Sequence, residues 1–385
     1  MNNREYSVLI LGNFENVYIV QFVKHLKEYN PQTHLFFWGY TRDKNDADRS
    51  FLACYDEYYL FDINHKAGTS VFEKTNAIIQ LRKHFKTFTE GKHFDYINIQ
   101  YVKPEYFFLL KYFKEHASKL VLTPWGSDVY SINWFYRFFV RRVFDASDRI
   151  TGGNDRFTKD FKRIFHVPDN KIAFCDLGVE PIGYIIEHKN MIDSYEAKRR
   201  LGVEDSYIIT CGYKALNSHQ HLKMIDSINQ VKSELPPNLL LFFPLTYPHN
   251  SKYIKIIKQK VEECGLKAIY FEQFLKMPEL FLLRQATDLF IHVQTTDASS
   301  GSLGEFLLCE KKIINGAWLD YPGLKKNGIT PYFEVDRMEN LSQVIVDAYK
   351  SEPIKIPNEV FRELEKRQWK VVIKDWDNLF AVSRE

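Results

Sequence analysis

Short apolar runs alternate with longer segments of helical apolar spacing over the first part of the chain. Such runs, rich in β-branched and aromatic residues, predict buried strands, and the segments between them predict helices. The predicted strands are 6–12, 34–39, 57–61, 96–100, 120–123, 149–151 and 172–174, and the predicted helices are 17–29, 78–88 and 105–116.

The same alternation restarts after the polar stretch 187–200. The predicted strands here are 207–212, 239–243, 268–271, 288–293 and 312–315, and the predicted helices are 221–235, 253–264, 278–287 and 303–309. Because alternating strands and helices are joined by right-handed crossovers, each part predicts a parallel, doubly wound sheet.

The predicted fold class is therefore α/β, with two Rossmann-like doubly wound domains facing each other across a cleft. We place the domains at residues 1–185 and 186–360. A helical tail, 361–385, is expected to pack back on the first domain. Open α/β sheets bind ligands at the carboxyl ends of their strands, so the cleft is the expected site.

The composition is that of a soluble globular protein. The 385 residues, 45% hydrophobic and 26% charged, are enough for two domains. A net charge of +3 is too small to indicate a nucleic-acid partner. The five cysteines form no CxxC pair or zinc-like cluster, which is typical of a reducing compartment. With no signal peptide or bilayer-spanning run, a cytoplasmic location is predicted.

A loop of small residues after the predicted strand 288–293 carries the strongest candidate chemistry. Its backbone amides can approach a ligand closely, and the helix that follows aims its positive end at the same place. Such a loop suits a diphosphate. The alternative is that its serines only cap the helix. The loop residues are Ser299, Ser300, Gly301, Ser302 and Leu303.

Two acidic residues flank this loop. Glu305 lies in the first turn of the predicted helix, where a carboxylate could accept hydrogen bonds from ribose hydroxyls, and Asp297 lies across the loop. The structural alternative for Glu305 is that it only complements the helix dipole.

Other loops at the expected cleft supply further candidates. Lys214 could neutralise a diphosphate, and His221 could donate to a phosphate from the start of a helix. Their structural alternatives are a solvated lysine and a helix cap. Candidates from the second domain are Gly212, Tyr213, Thr246, Tyr247 and Phe274, and those from the first are Gly12, Asn13, Phe14, Trp125, Gly126, Ser127 and Asp128.

With these motifs the chain resembles the GT-B glycosyltransferases, especially the large family-four group. That group carries a Glu-x7-Glu motif around a loop of small residues. Residues 305–314 fall on its second half, and Asp297 falls on the first Glu. The turn at 124–128 is similar to the group's His-Gly-Ser-Asp turn, with Trp125 in place of the histidine.

A closer resemblance, over roughly residues 205–315, is to the 4-acetamido-4,6-dideoxygalactose transferases of enterobacterial common antigen. These similarly have a glycine-led loop ending in histidine and a Pro-x-x-Tyr-Pro-like turn. Here the corresponding segments are 212–221 and 244–248.

The resemblance implies transfer of a hexosyl or deoxyhexosyl group from a nucleoside-diphosphate sugar, linked to UDP or dTDP, onto a bacterial surface glycan. The expected acceptor is an oligosaccharide or a polyprenyl-linked glycan. Residues 1–185 would bind the acceptor and 186–360 the donor. Glu305 would hold the ribose and the loop amides the diphosphate. Asp297, Asp128 and Lys214 are the candidate catalytic residues.

We expect no metal or other cofactor. Asp46-Ala47-Asp48 and Asp375-Trp376-Asp377 have DxD spacing, but neither follows a strand at the cleft. The negative charge of the leaving group would then be stabilised by loop amides, the helix dipole and the available cations, Lys214, His219 and His221.

The aromatic and basic segment 132–144 could lie on a membrane surface on the inner face of the cell membrane. It could equally be a core helix whose arginines reach solvent.

Two other functions stay open. A nucleotide-sugar epimerase of the same architecture would need no acceptor, and a catalytically silent sugar-nucleotide-binding protein would turn nothing over. An NAD-dependent dehydrogenase is disfavoured, because residues 12–16 are not a GxGxxG sequence. The nucleotide base, the sugar, the acceptor, the linkage and the stereochemical course are not determined by the sequence.

Overall fold

The structure is a computed structural model that describes residues 5–14, 16–41, 50–62, 71–152, 155–246, 250–297, 300–321, 323–325, 330–352 and 355–381. The chain divides into two compact units. The first unit comprises Met1–Gly178 and Trp369–Glu385, and the second comprises Val179–Gln368. The first unit is therefore built from two separate segments of the chain.

A parallel sheet forms the centre of the first unit. Its strands are β1 (Ser7–Asn13), β2 (His34–Thr41), β3 (Glu57–Asp62), β4 (Phe94–Gln100), β5 (Ala117–Thr123), β6 (Arg149–Thr151) and β7 (Ile172–Ala173). The helices are α1 (Val17–Tyr29), α2 (Val71–Thr89), α3 (Leu110–His116), α4 (Ser127–Tyr130), α5 (Trp134–Ala146) and α6 (Asp155–Phe165). The strand order is β3-β2-β1-β4-β5-β6-β7.

The apolar pattern explains these elements. In β1 the whole run 8–11 is fully buried, as expected for a strand covered on both faces of a parallel sheet. In α1 the buried residues Ile19, Phe22, Val23 and Leu26 recur at helical spacing, and the side chain of Asn16 caps the helix.

The second unit contains another parallel sheet. Its elements are α7 (Glu180–His188), α8 (Ser194–Arg200), β8 (Tyr207–Cys211), α9 (His221–Gln230), β9 (Leu239–Pro244), α10 (Ser251–Glu263), β10 (Ala268–Phe271), α11 (Glu279–Ala286), β11 (Leu289–His292), α12 (Gly301–Leu308), β12 (Lys312–Gly316), β13 (Phe333–Val335), α13 (Leu341–Lys350) and α14 (Asn358–Glu365). The strand order is β10-β9-β8-β11-β12-β13. Neighbours along β11 alternate between two cores, since Phe290 belongs to one and Ile291 to the other.

The last helix, α15 (Trp369–Ala381), belongs to the first unit. Trp376 is fully buried and donates from Nε1 to the Asp176 carbonyl at 2.7 Å. Asp377 accepts from the Tyr6 hydroxyl at 2.7 Å and from Asn30 Nδ2 at 2.9 Å. This half of the second DxD sequence therefore has a structural role, and the first DxD sequence lies outside the described residues.

The structure differs from the predicted boundaries in two places. The chain passes to the second unit after Gly178 rather than at 185, because Ile182 and Ile185 of α7 pack into the second unit's core. The predicted tail is split, since α14 packs in the second unit and α15 in the first.

Among the described helices, none combines the length and apolarity needed to span a membrane.

Candidate functional site

Two loops of the second unit meet where the strand order reverses. The strands β8 and β11 are neighbours at the centre of the sheet, and the chain proceeds from them toward opposite edges. Thr295 N donates to Ser218 O at 2.8 Å, which ties the segment 293–297 after β11 to the segment 212–220 after β8. Open α/β sheets bind ligands at such a reversal.

The small residues of the loop after β11 have different roles. Ser300 caps α12, because its Oγ accepts from Leu303 N at 3.1 Å. This corrects the prediction for Leu303, whose amide is engaged internally and whose side chain is fully buried. The first-turn amides of Gly301 and Ser302 have no acceptor within the helix and remain suited to an anion. Ser299 lies outside the described residues.

Glu305 pairs with a buried arginine. Its Oε2 lies 2.8 Å from Nε of Arg284, and the two side chains are only 7% and 4% exposed. Nη2 of Arg284 lies 3.3 Å from Oγ of Ser302, and the guanidinium lies 4.5 Å from the ring centroid of Phe306. Oε2 of Glu305 therefore accepts from Arg284, which leaves Oε1 for the predicted ribose contact.

Gly212 sits between two buried histidines. It has a φ of +62°. A Cβ at this position would lie 2.9 Å from Nε2 of His221 and 3.0 Å from Nδ1 of His219. His221 Nδ1 lies 3.2 Å from the Tyr253 hydroxyl, and its Nε2 has no partner among the described residues. A buried imidazole nitrogen without a partner among the described residues thus lies beside this glycine.

The two histidines are neutral near neutral pH, which corrects their assignment as cations. Burial lowers the pKa of His221 to about 4. Burial, together with the charges of His221 and Lys214, lowers the pKa of His219 to about 2. The third predicted cation is Lys214, and its Nζ lies 5.3 Å from the Tyr213 ring centroid.

Asp297 lies among polar aromatic residues. It accepts from the Tyr321 hydroxyl at 2.9 Å and lies 3.5 Å from the Tyr213 hydroxyl. His292 Nε2 is 3.9 Å from Asp297 Oδ2. Burial and the nearby Asp297 charge raise the pKa of Tyr321 well above its ordinary value, so this phenol remains a donor. The arrangement holds the carboxylate in one place.

The remaining donor-side candidates lie after β9 and β10. Thr246 is half-buried directly after β9, and Tyr247 lies outside the described residues. Phe274 is 61% exposed, so it is not a core aromatic.

In the first unit the strand order also reverses, between β1 and β4. A Cβ at Gly12 would lie 2.5 Å from Cδ1 of Ile19, so the end of that side chain would have to shift. Asn13 is half-buried. Phe14 is only 2% exposed and packs on Phe37, so the prediction of a ligand contact through its ring is corrected to a core role.

Asp128 organises the turn before α4. Its Oδ1 accepts from the amides of Trp125 and Gly126 at 2.8 and 2.9 Å, and its Oδ2 accepts from Val102 N at 2.8 Å. Burial raises the pKa of Asp128 to about 6, while the backbone hydrogen bonds act in the opposite direction. With the side chain buried and both oxygens engaged, the structure favours a structural role over the predicted catalytic one.

Trp125 and Ser127, in the same turn as Asp128, contact residues outside the turn. Trp125 donates from Nε1 to Gln100 Oε1 at 3.1 Å. Ser127 is exposed, and its Oγ lies 3.3 Å from the Tyr101 hydroxyl. Gly126 has a φ of +115°, which a residue with a side chain would strain to adopt.

Within the described ranges, no group of three or more His, Cys, Asp or Glu side chains is placed to hold a metal ion.

Comparisons with solved structures identify the architecture. HepE from Anabaena, in complex with UDP and glucose, has a TM-score of 0.68 and 12% identity over 97% of this chain and 99% of that chain. A glycosyltransferase from Rickettsia africae has a TM-score of 0.71 and 12% identity over 99% and 100%. Sucrose-phosphate synthase from Thermosynechococcus elongatus has 0.68 and 12% over 98% of both chains.

The chain has the GT-B fold. The predicted α/β class is confirmed, and the likeness at these identities is one of fold. No protein-family model matches the sequence. No curated protein matches it either. The dideoxygalactose-transferase resemblance stays a prediction.

The sequence left several neighbours of this GT-B site unassigned. They share one sequence signal, which is a polar residue within or just after an apolar pattern. His292 is the last residue of β11, and Gln294 follows that strand. Arg284 lies on the same face of α11 as Phe281. Tyr321 gave no such signal, because it lies in a loop after β12.

Proposed function

We propose that the protein transfers a sugar from a nucleoside-diphosphate sugar to an acceptor. One observation carries the proposal. The amides at the start of α12, the His221 imidazole at the start of α9 and the Asp297 carboxylate lie in or directly after two loops that are tied together where the strand order reverses. HepE, which shares the fold, is crystallised with UDP-glucose and supports this choice of donor.

Different residues would bind different parts of the donor sugar nucleotide. Amides of Gly301 and Ser302 would bind the diphosphate, and Lys214 would add positive charge as the nucleotide leaves. Glu305 Oε1 would accept from the ribose. Asp297 would contact the transferred sugar. These contacts supply the charge stabilisation in a metal-independent transfer of a hexosyl or deoxyhexosyl group.

The acceptor we propose is a bacterial surface glycan on a polyprenyl carrier, which would bring the protein to a membrane surface. Helix α5 supports this. Trp134, Phe135 and Phe138 are 80%, 55% and 56% exposed. Arg141 and Arg142 are exposed on the following turn. Exposed aromatics beside arginines suit the interface of an anionic membrane.

A basic groove lies on the same unit. It has a volume of about 690 Å³, and its lining includes Arg82, Lys83 and Lys86 together with one acidic residue, Glu90. Arg82 Nε donates to the Phe108 carbonyl at 3.1 Å, and the Phe108 ring packs against Phe139 of α5 at 5.6 Å. The groove therefore adjoins the aromatic helix and would add to its attraction for anionic headgroups.

A pair of substitutions at Gly301 tests the proposed donor site. Gly301 is the first residue of α12, where proline is favoured, and Ser300 has an extended conformation compatible with a following proline. A Cβ at Gly301 meets neighbours only at 3.5 Å, an ordinary contact. Gly301→Pro thus deletes one amide hydrogen, and Gly301→Ala is its matched control.

The measurement is calorimetric titration with UDP and dTDP in the presence of EDTA. We expect wild type and Gly301→Ala to bind one of these nucleotides alike. Gly301→Pro should bind it about tenfold more weakly, since one charge-assisted hydrogen bond is lost. Absence of binding by wild type, or equal binding by both variants, would contradict the proposed diphosphate site.

Product analysis separates this function from its alternatives. Incubation with UDP-glucose alone should give slow release of UDP and glucose but no epimer. Epimerised donor would indicate the epimerase, and an unchanged donor that still binds would indicate a silent binding protein.

A further inference from the structure

Two buried polar residues at the end of β11 have atoms that the proposed contacts do not use. His292 and Gln294 are 1% and 3% exposed. Residues two apart in an extended segment share a face. Nε2 of His292 and Oε1 of Gln294 have no hydrogen-bond partner among the described residues.

The hydrogen bonds of Asn315 fix the role of His292. Asn315 Nδ2 donates to the carbonyls of Gly316 and Leu319, both at 3.0 Å, so its Oδ1 is an acceptor. His292 Nδ1 lies 2.8 Å from that oxygen and therefore carries the hydrogen. Burial lowers the pKa of His292, which keeps the ring neutral. The open Nε2 is then a hydrogen-bond acceptor.

Gln294 is oriented by Tyr213. Gln294 Nε2 donates to the Tyr213 hydroxyl at 3.0 Å, which leaves Oε1 as an acceptor. The Tyr213 ring also stacks on His292 at a centroid distance of 5.9 Å. Its hydroxyl lies 3.5 Å from Asp297 Oδ2, which is itself 3.9 Å from His292 Nε2. Tyr213 thus links three acceptors, namely an imidazole nitrogen, an amide oxygen and a carboxylate.

The acceptors of His292 and Gln294, which have no partner among the described residues, favour a ligand that donates hydrogen bonds. A buried acceptor without a donor is destabilising, and a site built to hydrogen-bond a ligand rejects an analogue that lacks the matching group. Resting on the proposed donor site, we propose that His292 and Gln294 join Asp297 in selecting a transferred sugar with two adjacent free hydroxyl groups. The site would then prefer a sugar with both hydroxyl groups to an analogue that lacks one of them.

Titration with UDP, UDP-glucose, UDP-3-deoxyglucose and UDP-4-deoxyglucose tests this selection. We expect wild type to bind UDP-glucose at least about tenfold tighter than one of the deoxy analogues. Gln294→Leu should lose this preference while binding UDP as wild type does. Gln285→Leu is the matched control, because Gln285 is another buried glutamine of this unit whose Oε1 has no partner in the described part of the chain.

A measurement on the wild-type protein tests the inference even if the Gln294→Leu variant does not fold. The ¹⁵N resonance of His292 Nε2 should shift when UDP-glucose is added and stay in place with UDP, because only the sugar supplies a donor. Tight UDP binding with no preference among the sugars, or an unchanged resonance, overturns this inference alone. Failure to bind any of these nucleotides, together with failure to bind dTDP, overturns the proposed function instead.

Discussion

The Arg284–Glu305 pair gives a structural role to the carboxylate that we propose as a ribose ligand. Both side chains are almost fully buried, and Nη1 of Arg284 has no partner among the described residues. Removing one member of a buried ion pair leaves the other charge uncompensated. A loss of ligand binding in a truncated variant at Glu305 therefore does not by itself identify a ribose contact.

We predict that Glu305→Ala lowers the free energy of unfolding by about 3–5 kcal/mol. The double variant Arg284→Met/Glu305→Leu should recover most of that loss, because no charge is left unpaired. Urea unfolding measures both. A Glu305→Ala protein as stable as wild type would show that the pair contributes nothing to the fold.

His221 should make the stability of the fold depend on pH. Its pKa is 6.5 in the unfolded chain and about 4 in the folded one. The stabilisation is therefore present above pH 6.5 and is lost as the pH falls toward 4, since the unfolded chain takes up the proton first. The loss should reach roughly 2–3 kcal/mol.

Urea unfolding of wild type and His221→Gln between pH 7.5 and 4.5 measures this contribution. The wild-type free energy of unfolding should fall more steeply than that of the variant. Parallel curves would mean that His221 is protonated equally in the two states.

The sequence predicted some residues of the site and missed others for a physical reason. Gly212, Gly301 and His221 were identified because backbone approach and helix termini have local sequence signals. Arg284 was missed because its partners Ser302 and Glu305 lie 18 and 21 residues away, and Asn315 was missed because its contact with His292 spans 23 residues. The burial of Phe14 and Asp128, which favours structural roles for both, was not predicted, because a position in a loop does not show whether a side chain points into the core.

At the scale of elements, regular apolar patterns predicted the structure best. Helix α1 begins and ends where its periodicity predicted, and the strands of the second unit lie within a residue or so of their predicted positions. The strand β13 was not predicted, since a three-residue edge strand has no periodicity of its own. Helix α13 was not predicted either. Helices α7 and α8 lie in or beside the stretch that was interpreted as a boundary.

Helix α5 gives a prediction about membrane binding. Double substitution Trp134→Ser/Phe138→Ser should weaken binding to vesicles containing phosphatidylglycerol by about tenfold or more, because two exposed aromatic side chains no longer enter the interface. Phe174→Ser is the matched control, since Phe174 is 69% exposed elsewhere in the first unit. Co-sedimentation measures the bound fraction.

Binding of wild type to phosphatidylglycerol vesicles should also fall with added salt, because the arginines contribute through charge. Equal sedimentation of the α5 variant and the Phe174 control, or no binding by wild type, would refute the membrane role of α5.

For the whole molecule, the double alternation of strands and helices was sufficient to predict two Rossmann-like units. The path of the chain between them was harder to predict. The second unit closes with a hydrogen bond from Val179 N to Arg367 O at 2.9 Å, and in the first unit Trp369 packs so closely on Gly178 that a Cβ there would lie 2.4 Å away. Such contacts join residues that are distant in sequence, so no local pattern indicates them.

The central claim is that the second unit binds a nucleoside diphosphate at the start of α12. The most direct measurement is a crystal structure of the full chain grown with UDP and EDTA. We predict phosphate oxygens within about 3.2 Å of the Gly301 and Ser302 amide nitrogens. A nucleotide ordered with its phosphates away from these two amides would contradict the account.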